Sequence, residues 1–352
     1  MVSVFDHPFL SGLFGDDAVS ALLGAEAELT AYLTVEAGYA RALGDVGQVP
    51  KAIADAAAEA VETAVIKSKD LLAGVAKDGL AIPALVQLLK TRMEPRLHSA
   101  LHTGLTSQDV IDTGLMLRLR EVNDILRERL KQLDADLAKL QAQFGQRTLM
   151  GRTRMQAALP ITVSDRIVTW RQPLPTHLQG LKHLRRRLEV LQFGGPVGTT
   201  MSGAKGQALA GAFGDQLGLT VPDRPWHTAR KRIVDYANWV SMVSGALGKM
   251  GQDIALMAAQ TPAEIQISGG GGSSAMPHKQ NPVRAELLVT LARFNATQLG
   301  GMHQALVHEQ ERSGAAWSLE WMILPQMIQA TSVALQSAID LTASIQKIGS
   351  EG

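Results

Sequence analysis

The 352-residue chain contains no cysteine. Disulfides, thiol catalysis and thiolate metal sites are therefore excluded, and the chain is at home in a reducing cytoplasm. It also has no excess of charge: 34 Lys and Arg stand against 33 Asp and Glu. No global field draws in nucleic acid or an acidic membrane, so an anion must be caught by local placement of charge. No stretch approaches the ~18 uninterrupted apolar residues of a membrane span. The opening Met1-Val2-Ser3-Val4-Phe5-Asp6-His7-Pro8 lacks the basic start and apolar run of a signal peptide. A soluble, cytoplasmic protein is expected. Aromatic residues make up only 4%, so strand signals are scarce as well.

What is present favours helix. Ala, Leu, Gln, Lys, Arg and Met fill long periodic segments, and 46% of the residues are apolar, ample for a large core. Length alone suggests two domains. Residues 1–98 read as a small helical domain, with helices over 18–43 and 52–72 and a short helix and turn near 79–95. Residues 99–352 read as a long-helix bundle. There Leu115, Leu119, Val122, Leu126, Leu130, Leu133, Leu137 and Leu140 recur at steps of three and four, one apolar stripe of a long helix. Thr106-Ser107-Gln108-Asp109 fits a capping box at its start. Further long helices are expected over 164–190, 228–257, 282–307 and 317–345. Met242, Met250 and Met257 read as core, Trp317 and Trp321 as packing residues, and the basic run 183–187 as a solvated face. The fold class is all-α, a five-helix bundle whose helix lengths call for association with copies of itself.

Two stretches, 192–205 and 268–282, break the helical texture. The second begins with Gly269-Gly270-Gly271-Gly272 and continues Ser273-Ser274-Ala275-Met276-Pro277-His278-Lys279-Gln280-Asn281-Pro282. Four consecutive glycines cost too much conformational entropy to serve a packed element. Beside hydroxyls, an imidazole, a cation and an amide, they suit a loop that closes over a substrate. A flexible linker is the bland alternative. A P-loop is excluded, because no Gly-Lys-Ser/Thr follows at the required spacing.

The run 272–282 resembles the signature GSSxMPxKxNP of the fumarase/aspartase superfamily. His102-Thr103-Gly104-Leu105-Thr106-Ser107-Gln108-Asp109 resembles its first substrate-binding segment, and Gly151-Arg152-Thr153-Arg154-Met155-Gln156 its second. The resemblance implies an all-α fold, no cofactor and no metal. It further implies a homotetramer with a twenty-helix core, whose active sites draw residues from three subunits. Ser273 takes the role of the base that moves a proton beside a carboxylate; backbone N–H groups of a glycine-rich turn can stabilise its alkoxide. Ser274, Met276, Lys279 and Asn281, with Thr106, Ser107 and Gln108, match positions that hold the anionic substrate. His102 and His227 are possible supporting residues. Family members usually carry a small domain after the bundle, which is expected to be absent or reduced here.

The second segment departs from the family pattern. Arg154 stands where most members have a histidine that protonates the leaving group, and a guanidinium cannot act as an acid near neutral pH. Nor does 78–87 carry the second histidine of adenylosuccinate lyases. A basic leaving group would need that acid; a carboxylate is already stable as an anion, its pKa lying near ~4. Lactonisation of a muconate, in which an internal carboxylate adds to a double bond, needs only a proton on carbon. Pro225-Trp226-His227-Thr228-Ala229-Arg230 and His308-Glu309-Gln310-Glu311-Arg312 also resemble segments of carboxymuconate cycloisomerases. The expected substrate is thus a small polyanion, 3-carboxy-cis,cis-muconate or a similar 3-substituted muconate from aromatic-compound breakdown. Arg312, Arg230 and Arg154 are expected on its acid groups, with a pairing of Arg154 and Glu286 as the alternative. Adenylosuccinate or argininosuccinate lyase, or a non-catalytic protein on the same scaffold, are the competing readings. Nucleic acid and membrane are not expected partners.

Overall fold

The leucine stripe forms one 38-residue helix. The computed structural model describes residues 3–261, 263–272, 276 and 280–351. Before the stripe come α1 (Ser11–Phe14), α2 (Asp17–Leu23), α3 (Ala25–Asp45), α4 (Lys51–Glu62), α5 (Leu72–Asp78) and α6 (Ile82–Arg92). The stripe itself is α7 (Ser107–Phe144), whose Leu119, Leu126, Leu130, Leu133 and Leu137 are fully buried. A hairpin of β1 (Thr148–Thr153) and β2 (Gln156–Thr162) follows, then α8 (Val163–Arg171), α9 (Pro173–Leu188), α10 (Gly203–Leu217) and α11 (Lys231–Ala258). The remaining elements are β3 (Ile265–Ile267), β4 (Gly271–Gly272), β5 (Gln280–Asn281), α12 (Val283–Gln304), α13 (Gly314–Ser344) and β6 (Ile345–Ile348).

The helix expected over 164–190 divides into α8 and α9 at Pro173, which sits at the first position of α9, where a missing N–H is tolerated. The second segment of the expected site is a β-hairpin turn, and α10 is a further helix between 190 and 228, where none was expected. The described residues bury two apolar clusters. One lies within the bundle of α7, α8, α9, α11, α12 and α13. The other joins α3, α4 and α6 to α10 and to Leu191 and Phe193, so residues after the long helix return to pack on the first hundred.

In the bundle α11 and α12 approach closely because Gly248 and Gly251 leave room. A Cβ on Gly251 would stand 2.5 Å from the Ala285 carbonyl oxygen. Asn295 of α12, fully buried, ties three helices: its amide donates to Ser244 Oγ of α11 at 3.1 Å and to Thr331 Oγ1 of α13 at 2.8 Å. At the other side Asp16, the N-cap of α2, accepts from Ser332 Oγ of α13 at 2.8 Å and pairs with Arg129 of α7. Met250 and Met257 are buried as expected, but Met242 is 58% exposed. It lies on the outer face of α11, in a groove with Gly245, Ala246, Ala292 and Ala296. Trp317 is buried, while Trp321, edge-on to it at 4.7 Å, is partly exposed. His183, Arg186 and Arg187 are exposed, and Arg185 is paired with Asp124 and Glu189. Among the described residues no single helix is long and apolar enough to cross a membrane; α2 and α3 pass that test only as a pair bent by 46°.

Candidate active site

The first turn of α7 organises one end of the molecule. Thr106 is extended as an N-cap should be, and its N–H donates to the Asp109 carboxylate at 3.0 Å, the expected capping geometry. Asp109 does more than cap. It is fully buried, and it also accepts from the Gly194 and Gly195 N–H groups at 2.8 and 2.9 Å and faces His227 Nε2 at 2.8 Å. A buried carboxylate is tolerable only when so fully bonded. The loop must approach without side chains: a Cβ on Gly194 would lie 2.7 Å from the His227 ring, and Gly195 has φ +66°.

Gln108, also fully buried, uses both ends of its amide. Its Nε2 donates to the His227 carbonyl at 2.9 Å, and its Oε1 accepts from Arg312 Nε at 3.2 Å. Arg312 donates again to the Pro196 carbonyl at 3.2 Å and is otherwise exposed. Its partners are neutral oxygens, and among the described residues no carboxylate is paired with it. A guanidinium placed so, beside Ser107 at the N-terminus of a 38-residue helix, is set to receive an anion. Gln108 thus positions a cation, where direct contact with substrate was expected of it.

Arg230 departs further from expectation. Its side chain has no exposure, and it is gripped by Asp112 at 2.6 Å and Glu320 at 2.6 Å. Burial alone would lower its pKa, but the two carboxylates raise it above the ordinary guanidinium value. Trp317 Nε1 and Gln192 Nε2 donate to the same Asp112, both at 3.3 Å. Both guanidinium pairs are taken by carboxylates of this chain. Arg230 locks α7, α11 and α13 together beneath the site.

His102 stands five residues before α7 with φ +56°, and its Nδ1 lies 2.6 Å from Glu36 Oε1 of α3. His227, by contrast, is buried and committed to Asp109. The structure therefore brings together His102, Thr106, Ser107, Gln108, His227 and Arg312, with Arg230 below them.

Arg154, Met276, Asn281 and Glu286 belong to the other end. Between Ser107 and Phe144 the rise of α7 is ~57 Å, and the hairpin follows that far end. Arg154 and Met155 form its turn with φ +49° and +67°. Arg154 is exposed, and it shares a groove of about 400 Å³ with Arg152, Arg166, Lys249 and Asp253. Arg152 is neutralised by Glu264 at 2.8 Å. Arg154 has no such pair among the described residues, so its expected alternative partner, Glu286 in the first turn of α12, is not engaged in this chain. Glu264 lies just before β3, so the glycine loop starts at the hairpin's end of the bundle. Asn281 pairs in β5 with Gly271 and lines a pocket with Gln266, Gly270 and Gln346. Met276 is exposed. Ser273, Ser274 and Lys279 lie outside the described residues.

Sequence reading missed Asp109, Asp112, Glu36, Gln192 and Glu320 as parts of this frame. A signal existed for two of them. Asp109 and Asp112 continue the inward face of α7, and acidic side chains on a core-facing stripe require dedicated partners.

A family model described as lyase matches residues 15–296. The 3-carboxy-cis,cis-muconate cycloisomerase of Pseudomonas aeruginosa is 36% identical over 351 residues, 97% of this chain and 75% of the relative. The N-acetyl-S-(2-succino)cysteine lyase of Dickeya dadantii is 30% identical over 96% of this chain and 75% of its own. Among solved structures, 3-carboxy-cis,cis-muconate lactonizing enzyme from Pseudomonas putida superposes with a TM-score of 0.89 at 34% identity, over 97% of this chain and 77% of that one. The chain thus spans about three quarters of the length of each.

Proposed function

Because the chain belongs to this lyase family, within the fumarase/aspartase superfamily, we propose that it is an enzyme that closes 3-carboxy-cis,cis-muconate to its carboxymuconolactone. The observation that carries this reading on the site itself is Arg312. It is an exposed cation held by Gln108 and Pro196 through neutral oxygens, beside the N-terminus of α7, and so presents uncompensated positive charge to a polyanion. The 36% identical relative named for this reaction supports the choice of substrate.

In this reading Ser273 exchanges the proton on the carbon next to a carboxylate. Lys279, Asn281, Thr106, Ser107 and Arg312 neutralise the acid groups, which makes the enolate-like intermediate accessible. Arg154 takes a further acid group, and Arg230 contributes from below by fixing the frame. These residues occupy opposite ends of one chain, ~57 Å apart along α7. They can serve one reaction only if ends from different copies meet, which agrees with a homotetramer sharing its sites. The exposed groove of Met242, Gly245, Ala292 and Ala296 offers an apolar face of small residues for bundle-to-bundle packing.

Mixing the protein with the muconate should abolish the substrate's ultraviolet absorbance, and Ser273→Ala should stop that loss while leaving the fold intact. Persistent absorbance, with good turnover of adenylosuccinate or of a succinylated thiol, would assign the chain to the amine- or thiol-eliminating branches instead.

A further inference from the structure

Lactonisation consumes a proton. The internal carboxylate oxygen bonds to one alkene carbon, the π pair moves to the neighbouring carbon, and that carbon takes H⁺. The three-carboxylate substrate becomes a two-carboxylate lactone, so each turnover draws one proton from water. The groups around Gln108 and Arg312 provide few carriers for it. Arginines keep their protons. His227 is buried on Asp109, and the buried His308 ring stands 3.6 Å from Glu320.

His102 is different. Its side chain is 19% exposed, and its Nδ1 rests on Glu36, a carboxylate with no exposure whose second oxygen has no partner among the described residues. A buried carboxylate aimed at one imidazole nitrogen fixes the tautomer and stabilises the cation that forms when the other nitrogen accepts a proton. The arrangement is held at a cost: His102 adopts a left-handed conformation, a strained backbone of the kind that persists where the surroundings impose it. The Tyr39 hydroxyl clamps the same turn by donating to the Thr103 carbonyl at 2.8 Å. The other titratable neighbours are few. Tyr39, pushed up by burial and by the nearby Asp109 and Glu36 carboxylates, is a neutral phenol, and Asp109 is turned to His227 and the glycine amides.

We propose that His102, oriented by Glu36, is the proton carrier of the site: Nε2 supplies the proton that replaces the one delivered to carbon, and water then re-protonates Nε2. Glu36 is a positioning residue. This rests on the lactonisation reading, and the experiment separates the two. His102→Gln, checked for parental thermal stability, should lower kcat on the muconate about a hundredfold with little change in KM, and should flatten the alkaline limb of the pH–rate profile. Glu36→Gln should shift that limb with a smaller loss of rate. A His102→Gln protein with parental kcat and an unchanged profile overturns the proposal. Should the parent leave the muconate untouched, lactonisation itself falls. The dyad is then read from the imidazole ¹⁵N shifts, assigned by difference with His102→Gln. A protonated Nδ1 that responds to Glu36→Gln upholds it, and a bare Nδ1 overturns it.

Discussion

Asp16 shows how a single buried acid holds distant elements. Burial alone would raise its carboxyl pKa, but hydrogen bonds from Arg129 and Ser332, and the Arg129 charge, hold it below the ordinary carboxylate value. A depressed folded-state pKa means stability that is present above the unfolded value, near ~4, and is lost as the pH falls through the folded one. Asp16→Asn should therefore cost about 1.5–3 kcal/mol at pH 7, and the gap to the parent should shrink in acid. Urea melts at pH 7 and pH 3 measure this; an equal gap at both would refute it. Arg154 tests the substrate side. Its guanidinium is exposed and unpaired among the described residues, so Arg154→Lys, which keeps the charge but loses the bidentate fork, should raise KM roughly tenfold with little effect on kcat. Unchanged KM would remove Arg154 from the substrate. The motif residues were legible as residues, whereas the partners of Gln108 and Arg230 were not. Gln108 and Arg230 look like ligands in a linear string because a string shows polarity without showing what stands opposite; only packing reveals that Asp112 and Glu320 already occupy Arg230.

Among the elements, the long helices could be read because apolar periodicity is local and sustained. The leucine stripe of α7 needed only one face to declare itself, and its capping box marked the start. The breaks were harder. Pro173 allows a helix to begin as readily as it ends one, and α10 carries four glycines in fifteen residues, which masks its helicity. The hairpin turn at Arg154-Met155 lacks the glycine or asparagine that usually announces such a turn, so it was invisible. Contacts between helices leave a fainter trace, and Gly251 is one. Glycine in a helix interior costs about 1 kcal/mol relative to alanine, so Gly251→Ala should stabilise α11 taken alone. In the bundle the added methyl meets the Ala285 carbonyl oxygen at 2.5 Å and Leu288 Cβ at 2.7 Å, and overpacking costs about 1–3 kcal/mol. The expected net result is a lower Tm. A higher one would mean that α12 can yield.

At the scale of the whole molecule, the arrangement that matters is the separation of Arg312 and Ser107 from Arg154 and the glycine loop by the length of α7. Two variants disabled at opposite ends should therefore repair one another. Arg312→Ala and Ser273→Ala, each inactive or nearly so alone, should regain a fraction of parental kcat when unfolded together and refolded as a mixture, because some sites in a mixed assembly receive both intact ends. Refolding the two separately and then mixing without exchange is the control. Absence of any recovery, with mixed assemblies demonstrated by mass spectrometry, would refute a site built from opposite ends of different copies. At this scale the helical architecture was readable in the sequence, and the sharing of the site between copies was expected from the resemblance; which residues stand at each end depends on the length and direction of α7 and on the loops that return there, and periodicity alone does not give that.

The same separation, with the site shared between copies as proposed, would make the protein sensitive to dilution. If the site is assembled from several chains as proposed, it exists only while they remain associated, so specific activity should decline as the enzyme is diluted below the dissociation constant of the assembly, and recover when substrate spans the seam and tightens it. Abundance would then act on this enzyme twice, once through the number of chains and once through the fraction of them that can react.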